Sequence, residues 1–163
     1  MPANYQYGTE GNDTLTGTYD NDVMYGLGGV DVLVTGSGYV DTLNGGPGAD
    51  TFDFNSASGI AHYIKDFHWA EGDKIDLSTI DAKEYSLSSP STWGNQAFTW
   101  KGDITSKWFD STPGVGLGRG ELGYVYFGNG KTLVIGNTDG DSQDELQINL
   151  TGAIPSLASD FVL

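Results

Sequence analysis

Residues 8–53 read GTEGNDTLT GTYDNDVMY GLGGVDVLV T GSGYVDTLN GGPGADTFD, five nonapeptides interrupted once, by Thr35. Each nonapeptide opens on a glycine: Gly8, Gly17, Gly26, Gly36 and Gly45. Five positions on stands an aspartate, Asp13, Asp22, Asp31, Asp41 or Asp50, and two further an apolar residue, Leu15, Met24, Leu33, Leu43 or Phe52. The first six positions hold turn formers, with glycine open to left-handed backbone and Asn or Asp able to bond their own main chain. The last three are strand-like, since a β-branched residue (Thr14, Val23, Val32, Thr42, Thr51) precedes each apolar one. The spacing predicts one turn and one very short strand per repeat.

Alternate strand residues face opposite ways, so the apolar residue points inward while its neighbours point out. Two repeats then close one flat coil, and repeats i and i+2 stack. Aspartates on the same side pair as Asp13 with Asp31, Asp22 with Asp41, and Asp31 with Asp50. Asp31, flanked on both sides, is expected to serve two ions. Backbone carbonyls of the glycine turns complete the donor set, and Gly11, Gly29, Gly48 and Asp20, each at the fourth position of its repeat, are candidate contributors. Gly11, Gly29 and Gly48 stand there in three repeats, Asp20 and Tyr39 in the second and fourth. An all-oxygen gap of this kind suits a hard cation with six to eight ligands. Small apolar knobs cannot hold such a coil alone, so the metal must supply part of the folding energy. At Thr35 the coil is expected to bulge.

Charge makes the same case independently. The chain has 22 acids against 7 bases, a net charge of −15, and no Lys or Arg before Lys65. Eight of the acids, from Glu10 to Asp53, lie in that cation-free stretch. Stacked carboxylates without counter-charge repel, so either the segment stays disordered or a bound cation compensates it; the regular inward apolar positions argue for the cation. The pattern is similar to G-G-x-G-x-D-x-U-x, the repeat of calcium-binding RTX β-rolls.

Composition bounds what else the chain can be. At 163 residues with 37% hydrophobic and 12% aromatic content, the part after the repeats can bury a core. No apolar run is long enough to span a membrane, and Met1–Gly8 lacks the charged and apolar regions of a cleavable secretory signal. The absence of cysteine excludes disulfides and thiolate metal sites. A pI near 4.1 argues against nucleic acid and anionic membranes as partners.

After Phe54 alternating patterns appear at 63–67, 74–77, 97–100, 122–127, 132–135 and 146–150. Gly128-Asn129-Gly130 and Asp139-Gly140-Asp141 between them read as hairpin turns. Only 78–83 looks helical. The expected organisation is a lead-in over 1–7, a roll over 8–53, and a C-terminal antiparallel β-sandwich over 54–163 that continues the roll: an all-β chain.

The runs Gly48-Ala49-Asp50-Thr51-Phe52, Ile64-Lys65-Asp66-Phe67 and Gly72-Asp73-Lys74-Ile75-Asp76-Leu77-Ser78 resemble the C-terminal domain of serralysin-type metalloproteases. Similar domains end many proteins exported by Gram-negative type I secretion systems. The resemblance implies that Asp160-Phe161-Val162-Leu163 is the signal read by a type I exporter, and that Asp66 and Asp73 bind a further calcium below the roll. His62 departs from it, because relatives often carry an acid at that position. R-modules of secreted mannuronan epimerases are also similar.

Catalytic motifs are missing. His62 and His68 lie in no H-E-x-x-H, there is no G-x-S-x-G, and paired carboxylates in a calcium roll are ligands. Asn137, Asp139, Asp141, Asp144 and Glu145 look like a calcium loop, yet Ser142 and Ile148 stand where an EF-hand needs Gly and Glu, so a hairpin is the better reading. The expectation is a non-catalytic extracellular calcium-binding domain that folds on calcium after export. The alternative is a carbohydrate-binding module using Trp69, Trp93, Trp100, Trp108, Tyr124 and Tyr126. Since a net charge of −15 repels polyuronates, its ligand would be a neutral glycan.

Overall fold

The computed structural model describes residues 3–36, 40–57, 61–82, 96–108, 116–139, 145–152 and 158–163. Eight short parallel strands come first: β1 (Asn4–Tyr7), β2 (Thr14–Thr16), β3 (Asp22–Tyr25), β4 (Val32–Val34), β5 (Thr42–Asn44), β6 (Thr51–Asp53), β7 (Ala61–Phe67) and β8 (Lys74–Asp76). Odd strands stack in one sheet and even strands in the other, so two repeats do make one coil. The inward residues register across each layer, Met24 with Leu43 and Ile64 in one, Leu15 with Leu33, Phe52 and Ile75 in the other.

Stacking neither begins at residue 8 nor stops at 53. The lead-in supplies β1, which pairs with β3, while β7 and β8 lie on β5 and β6 as a further coil without a nonapeptide. The Thr35 insertion leaves strand register intact: Val32 pairs with Thr51 and Val23 with Thr42. The extra residue is taken up at the corner after β4, where buried Thr35 donates its N–H to the Asp53 carbonyl at 2.8 Å.

Beyond the coils come β9 (Thr99–Asp103), a one-turn helix α1 (Thr105–Trp108), β10 (Glu121–Gly128), β11 (Lys131–Asn137), β12 (Leu146–Gly152) and, after a 3-10 turn over Ala158–Asp160, β13 (Phe161–Val162). Among the described residues the larger sheet runs β1-β3-β5-β7-β12-β11-β10-β9 and the smaller β13-β8-β6-β4-β2. The expected antiparallel layer is therefore part of a mixed sheet. β10, β11 and β12 are antiparallel, but β12 joins β7 and β9 joins β10 in parallel. The β10–β11 turn is closed by Gly128, Asn129 and Gly130, all at positive φ, which the Asn-Gly pair tolerates.

One expectation fails locally, and one short helix appears that the sequence did not announce. Residues 78–82 of the supposed helix form a turn, with the Ile80 N–H on the Leu77 carbonyl at 3.0 Å, because Leu77, Ile80 and Ala82 are all drawn into the core; Lys83 lies outside the described residues. Helix α1, not foreseen, starts where the Asp103 carboxylate accepts the Thr105 N–H at 2.8 Å. One apolar core joins both parts of the chain, from Met24, Leu33 and Phe52 through Ile64 and Ile75 to Leu122, Val134, Ile148 and Phe161. A smaller cluster of Ile104, Leu117, Val125 and Ile135 lies outside it. Among the described residues no helix is long and apolar enough to cross a membrane.

Candidate metal centre

Each repeat aspartate stands just before a strand or, as Asp22 does in β3, at its first residue, with its own N–H turned towards the coil above. The aspartate one coil higher takes it. The N–H groups of Asp13, Asp22 and Asp31 donate to Oδ1 of Asp31, Asp41 and Asp50 at 2.8, 2.9 and 2.9 Å, so all three expected pairs form, equally close on both sides of the Thr35 insertion. Both columns continue past the repeats. Asp73 Oδ1 accepts from the Asp50 N–H at 2.9 Å, and His62 Nδ1 takes the place of a carboxylate, accepting from the Asp41 N–H at 3.3 Å.

Oδ1 is thus used up in the column, and Oδ2 turns back into its own turn. There the oxygens of Asp31 and Asp50 are buried without a hydrogen-bond partner, and Asp41 Oδ2, 3.5 Å from His62 Nδ1, is buried without one as well, all on side chains no more than 1% exposed. Burying an unpaired carboxylate oxygen is costly, and such atoms are rare in folded proteins. The first glycine of the turn makes the space: a Cβ at Gly26 would overlap Asp31 Oδ2, and one at Gly45 would overlap Asp50 Oδ2. The Gly45 carbonyl of the next coil points at the Asp31 space, 2.5 Å from a Cβ built on Gly26, and the Gly26 carbonyl points at the Asp13 space, 2.5 Å from one built on Gly8. Gly29, at φ 121°, and Gly48, at φ 149°, stack so closely that the Gly29 carbonyl would strike a Gly48 side chain.

Carboxylate and carbonyl oxygens converging in a stretch with no Lys or Arg before Lys65 fit a hard divalent cation. Among the described residues no three His, Cys, Asp or Glu side chains converge by themselves, so backbone carbonyls must supply the remaining ligands. Bound calcium would neutralise the orphaned oxygens and tie successive turns together.

The column is most acidic at its upper end. Asp66, from β7, accepts the Gly45 and Gly46 N–H groups at 3.1 and 2.7 Å, and Glu71 accepts that of Gly48 at 3.1 Å. Asp73 Oδ2 accepts the His68 N–H at 2.7 Å. Burial pushes the Asp50 carboxyl up to about 6, with repulsion from Asp73, Asp31 and Asp66 adding to it and the Asp31 N–H opposing it. Burial likewise raises Asp66 and Asp73, against the backbone N–H groups that each accepts. Asp66 and Asp73 thus both reach turn 45–50, and Glu71 joins them there. Nothing in the nine-residue period marks Glu71; its only signal is a place in the Gly-Asp-containing turn after β7.

The remaining candidates are placed as follows. Gly11 sits against Gly29 in the stack, and Asp20 is half-buried with its N–H on Thr18 Oγ1 at 3.2 Å. Asp53 also carries a buried oxygen without a partner, and burial followed by repulsion from Asp76 raises its carboxyl. Glu145 accepts the Thr138 N–H at 2.8 Å, in keeping with a hairpin, whereas residues 140–144 lie outside the described residues. Trp100 and Tyr124 pack against the core; Trp69 and Tyr126 are exposed. Trp93 and the Trp108 side chain lie outside the described residues.

Residues 7–39 and 34–58 match the family model of the RTX calcium-binding nonapeptide repeat. The chain thus carries RTX calcium-binding nonapeptide repeats, whose cofactor is calcium, bound as several ions. No curated protein matches the chain. Among solved structures it is similar to the AlgE6R3 subunit of the Azotobacter vinelandii mannuronan C5-epimerase. The identity is 21% over 95% of this chain and 80% of that one, with a TM-score of 0.49.

Proposed function

We propose that this calcium-binding β-roll is a non-catalytic domain that works outside the cell and folds there, after export through a type I secretion system. The observation that carries this reading is the set of orphaned carboxylate oxygens at Asp31, Asp41 and Asp50 in a stretch without Lys or Arg. The roll lacks its counter-charge until calcium arrives. With dissociation constants on the order of 10⁻⁴ to 10⁻³ M, as in extracellular calcium modules, cytosolic calcium leaves the sites empty and the chain loose enough to thread an exporter.

The carboxy-terminal residues bear on the order of events. Phe161 and Val162 pair with Ile75 and Asp76 as β13, the Val162 carbonyl accepts the Leu77 N–H at 2.9 Å, and buried Phe161 lies 4.6 Å from Trp100, centroid to centroid. An exporter reading Asp160–Leu163 would have to do so before the domain folds. Deleting these four residues should abolish export in a reconstituted secretion assay, while calcium-induced folding of the purified variant is followed separately. Unchanged export would sink the type I reading and leave the calcium roll standing.

A second reading rests on Tyr5, Tyr7 and Tyr63, exposed on the outer face of the larger sheet, with Tyr7 stacked on Tyr25 at 5.2 Å. Such rings suit a neutral glycan. Calorimetry with neutral oligosaccharides should then show binding that Tyr7→Ala removes; no heat with any of them dismisses the glycan.

A further inference from the structure

The first, second, third and fifth turns of the roll fall into two conformational classes, divided by the residue after the opening glycine; in the fourth that residue, Ser37, lies outside the described residues. In the first two turns that residue is threonine. Thr9 donates both its N–H, at 2.6 Å, and its Oγ1, at 2.8 Å, to Asp13 Oδ2. Thr18 does the same to Asp22 Oδ2, at 2.7 and 3.1 Å. In the third and fifth turns the residue is Leu27 or Gly46, at φ 79° and 94°, and the Oδ2 of Asp31 or Asp50 is left buried without a partner. The Gly46 N–H goes to Asp66 instead.

Left-handed backbone costs a β-branched residue more than an unbranched one and costs glycine nothing. Threonine therefore keeps the turn in the form whose N–H faces the aspartate. Its hydroxyl adds a second donor on the same oxygen. Leucine at positive φ is itself uncommon, and here it coincides with a freed carboxylate oxygen on a side chain that is 0% exposed.

We propose that the second residue of each turn decides whether that turn's aspartate is open to calcium: Thr9 and Thr18 occupy Asp13 and Asp22, whereas Leu27 and Gly46 leave Asp31 and Asp50 free. This rests on the calcium-binding reading of the roll and assigns its ions unevenly. The tight positions lie at the upper end of one column, between Asp31 and Asp50 and between Asp50 and Asp73. Asp50, which contributes to both, is the hub. The first coil folds around hydroxyl-closed turns and needs its ion least.

Calcium titration of the whole chain by isothermal calorimetry tests the assignment. Leu27→Thr should close the third turn, with the loss of about one tight ion or a weakening of about tenfold or more, while Leu27→Gly leaves binding at the wild-type level. In the opposite direction, Thr9→Gly/Thr18→Gly should open the lower turns and raise the number or affinity of bound ions, which keeps the idea testable if Leu27→Thr does not fold. Hydrogen exchange at low calcium should show turn 45–50 protected before turn 8–13. Wild-type binding in both Leu27→Thr and the double glycine variant overturns the role of the second residue. If the wild-type chain takes up no calcium at all, the underlying reading fails instead.

Discussion

The two ends of this molecule are held together by different physics. The coils up to β6 are built from strands of three or four residues, with the polar turn atoms of five repeats crowded at the corners and no basic side chain to balance them. The β10–β12 region has strands of seven or eight residues, antiparallel hydrogen bonding, apolar packing on both faces, and charges of both signs, such as Lys101 Nζ 2.6 Å from Glu121. Long strands with packed faces can fold on burial alone. Three-residue strands bury less each, so the roll is expected to draw part of its stability from its ions. Phe52, Ile64 and Ile75, in the core shared by both ends, tie one mode of stabilisation to the other.

Removing calcium should separate the two ends most clearly. In chelator, amides of residues 8–53 should lose protection first while those of β10–β12 persist, as followed by hydrogen exchange. A sandwich that melts before the roll would reverse the comparison and discard the metal assignment.

Single sites should grade the same effect. At calcium about 100-fold above Kd each ion is worth about 2.7 kcal/mol. Asp31→Ala, which touches two column neighbours, should therefore shift the calcium midpoint for folding more than Asp13→Ala, an end residue already bonded to Thr9. Equal shifts, measured by circular dichroism during calcium titration, would mean that the column is not graded along its length.

Acid should act on the roll in opposite ways with and without the metal. Asp50 has a folded pKa of about 6 against 3.8 for the free group, and Asp53, Asp66 and Asp73 move in the same direction. The folded roll thus binds protons more tightly than the unfolded one. Its metal-free form should gain stability as pH falls from above 6 towards 3.8, and lose it again as pH rises through 6. Protons compete with calcium for the same oxygens, so the calcium-loaded roll should weaken over the same range. Thermal melts in chelator and in calcium between pH 7 and pH 4.5 check both signs; parallel trends would contradict them.

The smallest change is expected far from the roll. Lys101→Met removes a partly exposed ion pair with Glu121 and should cost no more than about 1 kcal/mol, without altering the calcium midpoint. A shift in that midpoint would show that the two ends are more tightly coupled than their shared core suggests.

Much of this architecture is legible in the residues, because a nine-residue period acts on the chain locally. Gly26 and Asp31, or Gly45 and Asp50, sit in one turn, so spacing alone tells which carboxylate meets which glycine, and equal periods place Asp13 under Asp31. The 78–83 segment misled because its two apolar residues, Ile80 and Ala82, serve equally well to anchor an irregular turn on the core. Helix α1 left no periodic trace, being a single turn started by one aspartate.

Sequence by itself determined the coil, the inward residues, the columns of aspartate and the demand for a cation, since each follows from a repeated local pattern and a one-sided charge. Tertiary structure alone decided how the columns end and which oxygens stay free. Asp66 and Glu71 reach turn 45–50 from 20 and 23 residues away, outside any period, and Lys74 holds the Ser159 carbonyl across 85 residues. Whether Oδ2 is bonded or bare depends on the φ of Leu27 or Gly46 and on the coil stacked above it. Those are matters of packing between segments, and a local pattern repeated along the chain carries no record of them.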